Sequence, residues 1–200
     1  MAALGAACCG VLIATAVVTQ GSSALGIPHG GVAIASGATA APVARAARVP
    51  SPQGGPATGP AAGEIPSDEH VGPDAHIPAI DNLDPALRQA LQAADKAMRA
   101  NGIQPWITSG WRTVAYQERL YDEAVAQHGA EYARTHVAAP DKTEHTSGRA
   151  VDIGPTAADY WLIRNGVEFG LCQTYANEIW HFELTAKDGV CPALRTDALG

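Results

Sequence analysis

The chain has 200 residues, with 13 Lys and Arg against 20 Asp and Glu, for a formal charge of -7. That length holds one domain, or one domain and a tail. The acidic balance lacks the cationic footprint that nucleic-acid binding requires, so that class of partner is excluded. Only 16% of residues are charged, while Ala, Gly and Pro are heavily used. An unstructured stretch diluting an ordinary domain produces this composition.

Residues 2–18, AALGAACCGVLIATAVV, are uncharged and apolar, and TQGSSALG follows. Ser22 and Ala24 are small residues placed for cleavage after Ala24, so 1–24 reads as a secretory signal peptide. No Lys or Arg precedes the apolar run; the first basic residue is Arg45. Membrane attachment is expected only if this segment stays uncleaved, because about 17 residues rich in Ala and Gly are marginal for a span. Residues 25–74 carry no periodic apolar pattern and no aromatic residue. Alone, such a stretch buries too little surface to offset its chain entropy, so it reads as a disordered linker. All the tryptophans, tyrosines and phenylalanines lie within 75–195, the expected domain, leaving 196–200 as a tail.

Within the domain, Asp84 is a good N-cap and Pro85 suits the first helical position. Leu87, Leu91, Ala94 and Met98 then fall on one helical face, and Asn101-Gly102 is a stop signal. IQPWITS (103–109) reads as a short strand in which Pro105 signals an edge or an early bend. A second helix is expected over 113–128, with Tyr116, Leu120, Tyr121 and Ala124 on its buried face, and a weaker helical turn over 130–136. AVDI (150–153) reads as a strand and 156–166 as a helix. LCQTYA (171–176) and IWHFEL (179–184) read as two strands that can pair. The sum is an α+β domain, a small antiparallel sheet flanked by helices. Cys172 and Cys191 form a disulfide if the chain is exported; otherwise they are two buried thiols.

His145 and Asp152 lie seven positions apart in EHTSGRAVDIG, and His181 lies three after Glu178 in NEIWHFEL. Two imidazoles and one carboxylate suit zinc and leave one position open, with Glu178 as the base acting on a water there. Each spacing alone is weak, and HExxH is absent. Residues three apart in a strand face opposite ways, so Glu178 and His181 share a site only if the chain bends between them. Asp152 alternates with Val151 and Ile153, as a strand does when it presents a ligand into a cleft. Gly148 lets the loop after His145 approach the sheet closely. His29, His70, His76, His128 and His136 read as surface or hydrogen-bonded histidines.

Taken together, S-G-W-R (109–112), H-T-S-G-R-A-V-D (145–152) and E-I-W-H (178–181) resemble, in this order, the signatures of the zinc D-alanyl-D-alanine carboxypeptidases of the VanY type. Their superfamily also contains lysostaphin-type peptidases and the hedgehog signalling domain. The resemblance implies a zinc site on the sheet, with His145, Asp152 and His181 as ligands and Glu178 as the base. It implies that Arg112 reaches the substrate near the scissile bond or its carboxylate, and that Gln117 faces the terminal carboxylate. Ser109, Thr143, Ser147 and Trp180 become substrate-binding candidates. Thr143 stands where many relatives have Ser, and Thr146 where many have Gln. The implied activity is a secreted, monomeric D,D-carboxypeptidase removing terminal D-Ala from peptidoglycan stem peptides. Alternatives are an L,D-carboxypeptidase or peptidoglycan endopeptidase with the same site, or a non-catalytic cell-wall binding module.

Overall fold

The computed structural model describes residues 54–199. The expected signal peptide and residues 25–53 of the expected linker lie outside them. Five α-helices and four strands order the described residues, besides short 3₁₀ turns: α1 (Pro78–Asp81), α2 (Pro85–Ala100), β1 (Trp106–Ser109), α3 (Val114–His128), α4 (Ala130–His136), β2 (Ala150–Gly154), α5 (Thr156–Asn165), β3 (Leu171–Gln173) and β4 (His181–Leu184). The strands form one antiparallel sheet in the order β1-β2-β4-β3. The α+β class and the edge position of β1 match the sequence reading.

Helix α2 forms where its signals place it. Asp84 accepts hydrogen bonds from the amides of Ala86 and Leu87, which otherwise lack intrahelical partners. Leu87, Leu91, Ala94 and Met98 are all buried. They pack into a core with Ile80, Ile107, Val151, Ile153, Leu162, Leu171 and Phe182. Fully burying a side chain such as Phe182 or Leu87 contributes about 1.5–3 kcal/mol.

Strands β2 and β4 are the centre of the sheet, and their register decides where chemistry sits. Val151 lies opposite Phe182, and Asp152 opposite His181. Side chains alternate along a strand, so the first pair enters the core and the second points to the other face. A bulge in β1 between Ile107 and Ser109 brings Ser109 opposite Asp152.

Three expectations are corrected. The ordered domain begins before residue 75. Ala62 is fully buried, and its carbonyl accepts from the Thr113 amide at 2.9 Å. The carbonyls of Pro56 and Ala57 accept from Thr113 Oγ1 and Arg119 Nε, and that of Val71 from the Ile107 amide. The segment has no core of its own; it gains order by giving its carbonyls to α3 and to the free edge of β1. The end of the chain is likewise more than a tail, since Arg195 exchanges backbone hydrogen bonds with Thr174 and Ala176, and Ala198 is buried. Finally, the buried residues of α3 are Gln117 and Ala124, whereas Tyr116, Leu120 and Tyr121 are partly exposed. Helix α3 packs mainly on α4 rather than on the sheet, so an apolar stripe toward the core is not required of it.

Candidate metal centre

His145 begins a single 3₁₀ turn, His145–Ser147, which Gly148 ends in the left-handed conformation with φ 73°. A Cβ on Gly148 would lie 2.3 Å from the Asn82 carbonyl oxygen. The Gly148 carbonyl accepts from the Asp84 amide at 2.8 Å. The close approach is therefore to the turn entering α2, not to the sheet. It fixes the backbone that carries His145.

The ring of His145 is oriented by the backbone. Its Nδ1 lies 2.8 Å from the Gly110 carbonyl oxygen, an acceptor only, so Nδ1 carries the hydrogen and Nε2 the lone pair. Nε2 then faces Asp152 Oδ1 at 3.2 Å. His181, from the neighbouring strand, brings Nδ1 to 3.3 Å from the same oxygen. The three residues are buried, and their donor atoms lie within 4.8 Å of one another. Asp152 Oδ1 has no hydrogen-bond partner. Two imidazole lone pairs and a bare carboxylate oxygen repel one another unless a cation sits among them. The donor set therefore fits a divalent metal, and its two nitrogens and one oxygen suit zinc.

The other oxygen of Asp152 is occupied. Oδ2 accepts from Arg112 Nη2 at 2.9 Å. Arg112 also donates from Nε to Ser109 Oγ at 2.7 Å and from Nη1 to Gln117 Oε1 at 2.8 Å. The Gln117 amide nitrogen donates to the carbonyls of Val137 and Ala138.

Charge follows this geometry. Burial opposes ionisation of Asp152, but the neighbouring His145, His181 and Arg112 hold its carboxyl well below the usual range. Burial lowers His145, and the Arg112 charge adds to that. Burial also opposes a charge on His181, but Asp152 and Glu183 outweigh it and push the ring up to about 9. The metal-free site thus draws in positive charge as a proton. Burial, aided by the Asp152 charge, pushes the Glu178 carboxyl up to about 7.

Glu178 lies before β4 in a turn, its amide bonded to the Tyr175 carbonyl and its carbonyl to the His181 amide. That bend lets it share the site with His181, and its Oε2 lies 3.8 Å from His181 Nδ1. Glu178, the three candidate ligands and Arg112 line a cleft of about 270 Å³. Thr143 and Trp180 line it too. Trp180 is 42% exposed, a wall of the cleft and not part of the core.

Three expected site residues do not face the cleft. Gln117 is fully buried, with its amide hydrogens on two carbonyls and its oxygen on Arg112, so it has no donor left for a substrate carboxylate. Ser109 supports Arg112. Ser147 is exposed and donates to the carbonyl and carboxylate of Glu144. Conversely, Tyr175, His136 and Ala198 line the cleft, although the sequence reading left Tyr175 and Ala198 aside and took His136 as a bland surface residue. Tyr175 packs its ring 4.9 Å from that of His181 and accepts from Arg195 Nη1. No local signal marks these three; folding alone brings them there.

A family model described as D-alanyl-D-alanine carboxypeptidase, VanY, matches residues 81–187. The chain belongs to the VanY family. The VanY match spans every candidate ligand, Glu178 and Arg112. A D-alanyl-D-alanine carboxypeptidase of Enterococcus faecalis (strain ATCC 700802 / V583) is 31% identical over 128 residues, 51% of this chain and 48% of that protein. The bifunctional D-Ala-D-Ala dipeptidase and carboxypeptidase VanXYC of Enterococcus gallinarum is 34% identical over 62 residues, 30% of this chain and 33% of its own. This VanY-family chain thus spans half or less of these curated relatives. Among solved structures, VanYB in complex with D-alanine-D-alanine is 28% identical, with a TM-score of 0.50 over 62% of this chain and 82% of its own.

Proposed function

We propose that this chain is a zinc-dependent D,D-carboxypeptidase that removes the terminal D-Ala of peptidoglycan stem peptides. The observation that carries the reading is the convergence of His145 Nε2, His181 Nδ1 and Asp152 Oδ1, with Glu178 beside them in one cleft. The D-Ala-D-Ala enzymes among its relatives, and VanYB holding D-alanine-D-alanine, support the substrate class.

Zinc held by His145, Asp152 and His181 supplies Lewis acidity, which acidifies water and polarises a carbonyl. Glu178, raised by burial into the neutral range, takes a proton from the attacking water and passes it to the leaving amine of D-Ala. Arg112 keeps Asp152 Oδ2 engaged, so that Oδ1 alone turns to the metal position. Three of its five N–H donors are engaged by Ser109, Gln117 and Asp152, leaving two for the developing oxyanion. Thr143 and Trp180 flank the peptide. Gln117 and Ser109 act on the substrate only through Arg112.

The apolar N-terminal segment supports export to the cell envelope, where peptidoglycan lies. Cys172 and Cys191, bridged across 19 residues, support an oxidising compartment. Among the described residues no helix is long and apolar enough to cross a membrane.

The test is incubation of the purified chain with a pentapeptide ending in D-Ala-D-Ala. Free D-Ala is expected, lost with chelator and restored by zinc. Glu178→Gln should lower kcat by about 10²–10⁴-fold while zinc stays bound. Chelator-insensitive release, or release only from a stem already lacking its last D-Ala, would overturn the reading.

A further inference from the structure

We infer that Glu183 is a positioning residue of the metal centre: it fixes the His181 ring so that Nδ1, and not Nε2, is presented to the metal. The inference rests on the metal-site reading above and adds to it a residue outside the three expected motifs.

Glu183 follows His181 by two positions on β4, so the alternation of the strand puts both side chains on one face. Its Oε1 lies 3.1 Å from His181 Nε2, and both residues are buried. A carboxylate held ionised is an acceptor only. Nε2 must therefore carry the hydrogen. In the neutral ring that a metal requires, the lone pair is then on Nδ1, on the side that faces Asp152 Oδ1.

The placement also rules out other roles. Glu183 meets the nitrogen on the far side of the ring, so the imidazole keeps it from joining the ligands. It does not line the catalytic cleft, so it does not touch substrate. It borders two other cavities, of about 300 and 210 Å³, together with Glu144 and Thr185. Glu183 is thus reached from behind the ligand rather than from the side where hydrolysis takes place.

With Glu183 included, each ligand has one fixed partner. His145 is held by the Gly110 carbonyl, Asp152 by Arg112, and His181 by Glu183. Only the last two holds can be removed by a side-chain change. Partners of this kind typically control metal affinity by about 10–100-fold, because they set both the tautomer and the basicity of the ligand.

The experiment uses the full-length chain, with Glu183→Ala and Glu183→Gln variants, and reads zinc binding by competition with a chromogenic chelator. Glu183→Ala should weaken zinc binding by about 10–100-fold. Glu183→Gln keeps an acceptor oxygen and should recover much of that loss; filling space alone would do the same, so the tautomer of His181 decides between the two roles. A second readout needs no variant: ¹⁵N NMR of the zinc-loaded wild type should show His181 protonated at Nε2 and bound through Nδ1. Zinc bound through Nε2, or affinities of both variants within twofold of wild type, would overturn the inference. Neither readout uses substrate. A chain that binds zinc with the expected tautomer yet releases no D-Ala refutes the carboxypeptidase reading and leaves the role of Glu183 intact.

Discussion

Replacing Gln117 with Met separates two roles for this residue, because Met matches its length and lack of branching but supplies none of its hydrogen bonds. In the structure Gln117 is fully buried, donates to the carbonyls of Val137 and Ala138, and accepts from Arg112. Each buried group left without a partner costs about 1–3 kcal/mol. Two stranded carbonyls and one released Arg112 donor therefore predict a loss of about 3–5 kcal/mol, once partial relaxation and the apolar gain of Met are allowed for. For a domain of this size each kcal/mol lowers Tm by about 2–4 °C, so the variant should melt on the order of 10 °C below wild type. Thermal unfolding followed by circular dichroism in chelator gives the number, and steady-state kinetics gives the second reading. Activity should fall mainly in kcat, because Arg112 and through it Asp152 lose their fixed position. If Gln117→Met melts within a degree or two of wild type and raises KM alone, the side chain faces substrate and the buried network described above is wrong.

Gly148→Ala should destabilise by at least about 1 kcal/mol from the left-handed backbone alone, and by more from the clash with Asn82, with weaker zinc binding because His145 rides on that turn. Calorimetry with and without zinc checks both parts. Asp159 is buried with one oxygen unpartnered, and burial, aided by the Asp152 charge, raises its carboxyl from 3.8 to about 7. The fold thus favours the protonated acid: this stability is complete below about pH 4 and is lost as pH rises through 7. Relative to wild type, Asp159→Asn should gain stability between pH 4.5 and 7.5 by up to about 4 kcal/mol in urea melts of the metal-free protein, and a difference that does not change with pH refutes this. Replacing Cys172 and Cys191 together with Ser should cost about 3 kcal/mol for a loop of 19 residues, and reducing agent should lower the Tm of wild type but not of the variant.

What could be read from the sequence divides along local and non-local lines. Helix α2 was legible to the residue because Asp84, Pro85 and an unbroken apolar stripe are all local signals. Asp152 was legible as a face-alternating residue of a strand. The ligand trio was not legible from spacing alone; three short motifs taken in order identified it. The burial of Gln117 depends on carbonyls 20 and 21 residues further on, and no periodicity in α3 carries that information. Residues 54–74 misled for a similar reason. Their composition describes a chain unable to fold by itself, whereas in the molecule their carbonyls serve donors on α3 and β1. Glu183 is the one positioning residue that a period-of-two reading from His181 could have found.

The pairing of Asp152 with His181 across β2 and β4 has a consequence for how the sheet is assembled. A slip of one residue between these strands would turn one partner of each pair over, driving a carboxylate or an imidazole into the apolar layer and a hydrophobe into the cleft. A sheet slipped by one residue therefore cannot close around a cation. An ion present as the chain folds would select the native alignment over a one-residue slip, so a bound metal would also proofread the threading of the strands.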